Sequence, residues 1–199
     1  MKSRPDLVVS VELSNGTIFE ICYDDDPMNP REWDNLGTMV CWSRRYKLGD
    51  THDFKDPEEF EKWWKENGGD GVILPLYLYD HGGITMNTTG FSCRWDSGQV
   101  GWIYVTAERI RKELCCSRNQ TAAGRIGITP AIREAVTLSL VSEVEEYDNY
   151  ITGNCFGFVL KDKDGNIIDS CWGFLGSIKE NGILDGLSED DKIRVLEAL

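Results

Sequence analysis

Two strand-like apolar runs, Leu7-Val8-Val9-Ser10-Val11-Glu12-Leu13 and Ile18-Phe19-Glu20-Ile21-Cys22-Tyr23, flank Ser14-Asn15-Gly16-Thr17. Asn-Gly tolerates the positive φ angles of a tight turn, so the chain is predicted to open with a β-hairpin. Residues 24–30, with Pro27 and Pro30, read as a loop, because proline removes a donor and pushes its predecessor out of helical geometry. Residues 38–46 are β-rich and are expected to pair with the hairpin. Asp56-Pro57-Glu58-Glu59 combines a cap, a first-position proline and first-turn acids, which predicts a helix carrying Phe60, Trp63 and Trp64 to about Glu66, before Gly68-Gly69.

Residues 72–79 form a strand whose Pro75 favours an edge or a bulge. A further strand over 99–105 leads to Thr106, which caps a short helix through Leu114, and residues 117–128 read as a loop. Thr129-Pro130 opens the longest helix. Ile132, Val136, Leu140 and Val144 recur on one face, continued by Tyr147 and Ile151, and Glu143, Glu145, Glu146 and Asp148 are placed on its outer face. A second hairpin over 155–174 turns at Asp162-Lys163-Asp164-Gly165-Asn166, and Ser188-Glu189-Asp190-Asp191 caps a terminal helix with Ile193, Leu196 and Leu199 on one side. Two hairpins without regular β-α-β alternation predict an α+β fold: an antiparallel or mixed sheet packed against three to four helices. A single domain over 1–199 is expected; the alternative division is an N-terminal hairpin subdomain, 1–70, on a core, 71–199.

Composition narrows the class. A hydrophobic fraction of 41% with seven Trp, seven Tyr and seven Phe excludes a disordered chain. The longest apolar runs fall far short of the roughly 20 residues of a membrane helix, and polarity returns at Ser10 and Glu12, so neither a membrane span nor secretion is expected. Seven cysteines are an odd number with no Cys-x-x-Cys spacing; they read as reduced thiols in the cytoplasm.

The formal charge of −13 argues against direct non-specific contact with nucleic acid, which depends on neutralising phosphates. It is unevenly spread. Residues 1–70 carry net −7, 71–140 net +2 and 141–199 net −8, so acidity flanks a neutral to basic middle.

The middle also holds the densest run of unusual residues, 78–88 followed by 91–102. Two strands joined through it would bring Asp80-His81 near Trp95-Asp96-Ser97-Gly98, and loops on a rigid sheet are where functional groups concentrate. Tyr-Leu-Tyr-Asp-His-Gly-Gly-Ile-Thr at 77–85, Trp-Asp-Ser-Gly-Gln-Val-Gly-Trp at 95–102, Glu-Glu-Tyr-Asp-Asn-Tyr-Ile-Thr-Gly at 145–153 and Asp-Ser-Cys-Trp-Gly-Phe at 169–174 resemble a family of uncharacterised proteins encoded by bacteriophages and mobile elements. The resemblance covers roughly residues 70–176. It implies a genomic setting inside a host bacterial cell and transfers no catalytic assignment.

Several chemistries are written into these residues. His81 and Cys93 with Asp80 or Asp96 could form a thiol-imidazole-carboxylate set, against which stands a buried Cys and a loop His with no nucleophile motif around it. Asp24, Asp25, Asp26, Asp80 and Asp96 could gather around a hard cation, against the reading of a solvated acidic loop; no metal or cofactor is assigned. A small phosphorylated or nucleotide ligand, with hydrolysis as an extension, would use Asp80, His81, Thr85, Arg94, Asp96, Ser97 and Gln99, with Arg109 or Arg111 as further counter-charge, although neither nucleotide-binding glycine motif is present. Six of the seven tryptophans, 42, 63, 64, 95, 102 and 172, lie in strand or helix patterns and default to the core.

The leading expectation follows from charge and resemblance together. The chain reads as a mobile-element binding protein that interferes with a host nucleic-acid-targeting defence, of anti-CRISPR or anti-restriction type. Asp24, Asp25, Asp26, Glu143, Glu145, Glu146 and Asp148 would meet a host protein's basic nucleic-acid-binding surface. The runner-up is the small-ligand pocket at 80–99.

Overall fold

The computed structural model describes residues 6–114 and 127–199, and shows an α+β protein with two four-stranded antiparallel sheets and four α-helices. The loop expected over residues 117–128, like Cys115 and Cys116, falls wholly or mostly outside the described residues. No helix among those described is long and apolar enough to cross a membrane. The chain divides into two compact units, one of residues up to Asn29 together with Asn149–Leu199 and one of Pro30–Asp148. The N-terminal hairpin thus groups with the C-terminal part of the chain.

In the first unit β1 (Leu7–Glu12) and β2 (Ile18–Tyr23) form the expected hairpin. Its turn is closed by the Leu13 amide on the Thr17 carbonyl and by Gly16 at φ +81°, where a side chain would be strained. Strand β7 (Cys155–Lys161) pairs with β2 and with β8 (Ile167–Leu175), giving the order β1-β2-β7-β8. Phe19, Ile21 and Phe156 turn to one face, where Ile183, Leu184 and Val195 complete a buried cluster.

Val195 belongs to α4 (Glu189–Ala198). The predicted face of that helix is corrected: Leu196 packs on the cluster, but Ile193 and Leu199 are exposed, and the buried positions are Val195 and Asp191. The cause is Asp191. Its carboxylate accepts from the Ser14 amide (2.8 Å) and hydroxyl (2.9 Å) and from the Ser188 hydroxyl (2.8 Å), and this turns the helix so that a polar anchor faces the hairpin turn.

In the second unit α1 (Pro57–Asn67) starts as predicted, with the Asp56 carboxylate accepting from the Glu59 amide. The sheet runs β3 (Thr38–Cys41), β6 (Ser97–Val105), β4 (Val72–Asp80), β5 (Ile84–Asn87). Two sequence expectations change here. Strand β3 pairs with β6 instead of with the hairpin, and β5, unforeseen, makes residues 80–87 the turn and return of a hairpin. Pro75 fits because β5 pairs with β4 only from Tyr77 onward, leaving β4 one neighbour at the proline, next to an irregularity between Leu76 and Tyr77. At Gly101 a Cβ would lie 1.9 Å from the Val40 carbonyl oxygen, so β3 can pair closely with β6 only if that residue has no side chain.

Helix α1 covers one sheet face through Phe60, whose ring lies 5.2 Å from both Trp102 and Tyr104. On the other face Leu140 of α3 (Pro130–Ile151) meets Ile103 at Gly37. Helix α2 (Ala107–Leu114) follows β6 and buries Ile110.

The predicted outer face of α3 is also corrected. Glu143 is buried at 8% exposure and accepts from the Leu36 amide (2.8 Å), the Gly37 amide (3.0 Å) and Arg31 Nη1 (3.0 Å). Arg31, itself nearly fully buried, also makes a forked pair with Asp50 (2.9 and 2.8 Å) and donates to the Gly37 carbonyl. Burial alone would lower the Arg31 pKa, but the hydrogen bonds and charges of Asp50 and Glu143 outweigh it and raise it. Asp148 is likewise turned inward, accepting from the Thr85 hydroxyl (2.9 Å) and the Met86 amide (2.6 Å).

Arg31→Met leaves two carboxylates facing each other without their cation and is expected to cost about 3–5 kcal/mol in urea unfolding. Arg31→Lys should recover only part of this, because an ammonium cannot supply the planar fork. Asp191 carries a second expectation. The Ser14 amide, the Ser188 hydroxyl and the Ser14 hydroxyl hold its carboxyl below the ordinary carboxylate range against the opposing effect of burial. Its stabilisation is therefore full above the unfolded carboxylate pKa and lost as pH falls through that value toward the depressed one. Thermal unfolding of wild type and Asp191→Asn across pH 7 to about 3 should show a gap that closes on the acid side.

Candidate functional site

Antiparallel pairing places the C-terminal ends of β3 and β4 and the N-terminal end of β6 at one end of the second sheet, since Cys41 faces Gly101, Tyr79 faces Ser97 and Asp80 faces Ile84. Three loops meet there: 42–52, 81–83 and 88–96. The expected approach of Asp80-His81 to Trp95-Asp96-Ser97-Gly98 is present, with the Asp80 amide 2.8 Å from the Asp96 carbonyl.

The candidate ligand residues do not form one pocket. The Asp80 carboxylate accepts from Arg45 Nη1 (2.8 Å) and the Tyr46 hydroxyl (3.0 Å), and that hydrogen bond is the main reason the Tyr46 phenol is raised above its ordinary pKa. The Thr85 hydroxyl is spent on Asp148, Gln99 Nε2 donates to the Gly101 carbonyl at 3.2 Å, and the Ser97 hydroxyl donates to the Cys93 carbonyl. Arg94 and Ser97 line a cavity of about 630 Å³ with Tyr77 and Phe91. His81 Nδ1 lies 3.3 Å from Asp96 Oδ2 nearby, with the His81 side chain 71% exposed.

The thiol-imidazole-carboxylate set is assembled in the wrong order for nucleophilic catalysis. Cys93 Sγ lies 3.6 Å from the Asp96 Oδ2 that also contacts His81. A thiolate needs the imidazole beside it as base and the carboxylate behind; here the carboxylate oxygen contacts both the thiol and the imidazole.

A second cavity, about 690 Å³, is bounded by residues 41–44 and 46–52. Trp42 Nε1 and His52 Nδ1 are buried there without a hydrogen-bond partner among the described residues, while His52 Nε2 meets the Cys41 carbonyl at 3.1 Å. A carbonyl only accepts, so the proton belongs on Nε2 of the neutral ring. Among the described residues no three His, Cys, Asp or Glu side chains converge to hold a metal ion.

Of the seven carboxylates expected to meet a partner, Glu143 and Asp148 are consumed inside the second unit. Asp24 is half-buried and accepts from the Asp26 amide (3.1 Å). Asp25, Asp26, Glu145 and Glu146 are exposed. Burial first, and then Glu143, raise the Glu146 carboxyl above its ordinary pKa.

The chain matches no protein-family model, no curated protein and no solved structure. The site therefore stands on its own geometry.

Sequence reasoning missed Arg45, Tyr46 and the exposure of Trp95, whose 96% accessibility corrects its assignment to the core. A signal was present in Trp42-Ser43-Arg44-Arg45-Tyr46-Lys47, where cations and aromatic rings interleave. Averaging charge over residues 1–70 hid it.

None of the five described cysteines is in a disulfide. Burial, with help from Asp50, pushes the Cys41 thiol up to about 12, and burial and Asp24 push Cys155 up to about 11. Peptide mapping after iodoacetamide treatment of the folded protein at pH 7.5 is expected to show exposed Cys171 alkylated first among the described cysteines, with Cys41 and Cys155 unmodified until denaturant is added.

Proposed function

We propose that the protein is a binding protein of a bacteriophage or mobile element that interferes with a host nucleic-acid-targeting defence of anti-CRISPR or anti-restriction type. It does so through exposed carboxylates that engage a basic, nucleic-acid-binding surface of a host protein. The observation that carries the reading is the exposure of the adjacent pairs Asp25-Asp26 and Glu145-Glu146 in a chain of net charge −13. Paired carboxylates on a surface carry the sign of charge that a phosphate backbone presents, and complementary potentials speed encounter and select partners. The order Cys93, Asp96, His81 supports binding over catalysis, and the sequence resemblance supplies the mobile-element setting.

A second reading rests on the cavity beside Arg94, which has the size of a small-ligand site. It would hold a phosphorylated or nucleotide ligand against Arg94 and Ser97, with His81 and Asp96 at its margin.

The two readings separate by mutation. Affinity capture of the tagged protein from a bacterial lysate is expected to retain a basic nucleic-acid-handling protein at low salt and release it as salt rises. Reversal of Asp25, Asp26, Glu145 and Glu146 to Lys should reduce that capture roughly tenfold or more, while Asp80→Ala, His81→Ala and Asp96→Ala leave it unchanged. Capture that ignores the charge reversal would overturn the acidic-surface assignment.

A further inference from the structure

The loop end of the second unit carries charge of the sign opposite to the whole chain. Arg44, Arg45 and Lys47 are exposed on one loop, and Arg94 and Trp95 are exposed on its neighbour. The loops are tied together through two aspartates. Arg45 and Tyr46 bind the Asp80 carboxylate, the Asp80 amide binds the Asp96 carbonyl, and Asp96 directly follows Trp95. Asp80 offsets Arg45, and Asp96 sets one negative charge against the three remaining cations Arg44, Lys47 and Arg94. Arg44, Lys47 and Arg94 have no carboxylate within 4.0 Å among the described residues.

Trp95 is the second observation. At 96% exposure its indole contributes nothing to packing, and a fully hydrated Trp amid cations is an unfavourable surface unless something covers it. Its chain neighbour Arg94 lines the open cavity of about 630 Å³ together with Tyr77, Phe91 and Ser97. We infer that this end of the second unit binds single-stranded nucleic acid, with one base stacked on Trp95, a neighbouring base entering the Tyr77-Phe91 cavity, and phosphates held by Arg44, Lys47 and Arg94.

The choice of single strands over other anions follows from the aromatic groups. A duplex buries its base faces and offers Trp95 nothing to stack on, whereas a single strand can splay a base onto it. An acidic peptide satisfies the cations and leaves the indole and the cavity unused. The net charge of −13 opposes nucleic acid at long range, but screening confines that repulsion to about 10 Å at 0.1 M salt, within which the local cations dominate. The inference concerns residues other than the carboxylate pairs and does not depend on them.

The test is fluorescence anisotropy of labelled DNA and RNA single strands of about ten nucleotides, a duplex of the same sequence, and poly-glutamate, each titrated with the full chain at about 50 mM salt. Single strands are expected to bind in preference to duplex. Trp95→Ala should weaken them about tenfold. Arg44→Glu with Lys47→Glu should weaken binding and flatten its salt dependence by about 0.7 in log-log slope for each phosphate no longer neutralised. These positions are exposed, so unchanged thermal unfolding will show the variants folded; Glu145→Lys with Glu146→Lys should leave binding undiminished. No binding of single strands, equal binding of duplex, preference for poly-glutamate, or indifference to Trp95→Ala would each overturn the inference.

Discussion

One buried guanidinium organises the second unit. Arg31 follows Pro30 at the start of a short 3₁₀ turn, Pro30–Glu32, and its fork reaches Asp50, Glu143 and the Gly37 carbonyl. Asp50 in turn accepts from the Met39 amide, and Glu143 from the Leu36 and Gly37 amides. The entry to β3, the end of the loop that follows it and the middle of α3 are thus fixed to one cation. Two carboxylates around one guanidinium leave an excess negative charge in a buried place, and the backbone amides aimed at them offset it. A buried charge cluster of this kind is tolerable only when every member is satisfied, so the geometry of loop 42–50 is set as much by these bonds as by its own sequence.

That constraint reaches the loop end. Gly49 donates to the Tyr147 hydroxyl, Asp50 sits on Arg31, and between them and β3 the chain must return through Arg44, Arg45 and Lys47. On the neighbouring loop, the Cys93, Asp96, Ser97 and Asp80 contacts fold residues 93–97 back on themselves and leave Arg94 and Trp95 at the tip. The second unit consequently carries one cationic, aromatic end within a chain that is acidic as a whole. A partner that is itself a nucleoprotein would present both complementary surfaces, a basic groove and an exposed strand, which makes the two proposed contacts compatible without requiring that they occur together.

Much of the fold was legible locally. Asn15-Gly16, Asp56-Pro57, Thr106, Thr129-Pro130 and Ser188 mark turns and caps, and each is used where the pattern put it, because a cap or a tight turn is settled within four residues. Expectations failed where a partner came from far along the chain. The β-rich stretch beginning at Thr38 could not announce that it would pair with β6 instead of with β2, since strand propensity is silent about partners. Glu143, three residues after Leu140 and four before Tyr147, shares the apolar face of α3, and assigning it outward from its charge alone overlooked the Leu36 and Gly37 amides and the guanidinium that meet it there; Asp148 lies beyond the edge of that face and is drawn inward by Thr85 and the Met86 amide. Asp191 is drawn inward in the same way on α4.

The sequence by itself determined the fold class of the protein, its first and last hairpins and its helix starts, because those depend on periodicity, turn geometry and composition. Only the tertiary structure decided which carboxylates remain available to a partner, that one Asp96 oxygen contacts both Cys93 and His81, and that Trp95 stands free while Trp42 and Trp102 are packed in ring contacts. Exposure and pairing are properties of distance between residues remote in sequence. A linear pattern assigns a side chain to a face, but what lies opposite that face is fixed only when each sheet closes on the helices that cover it.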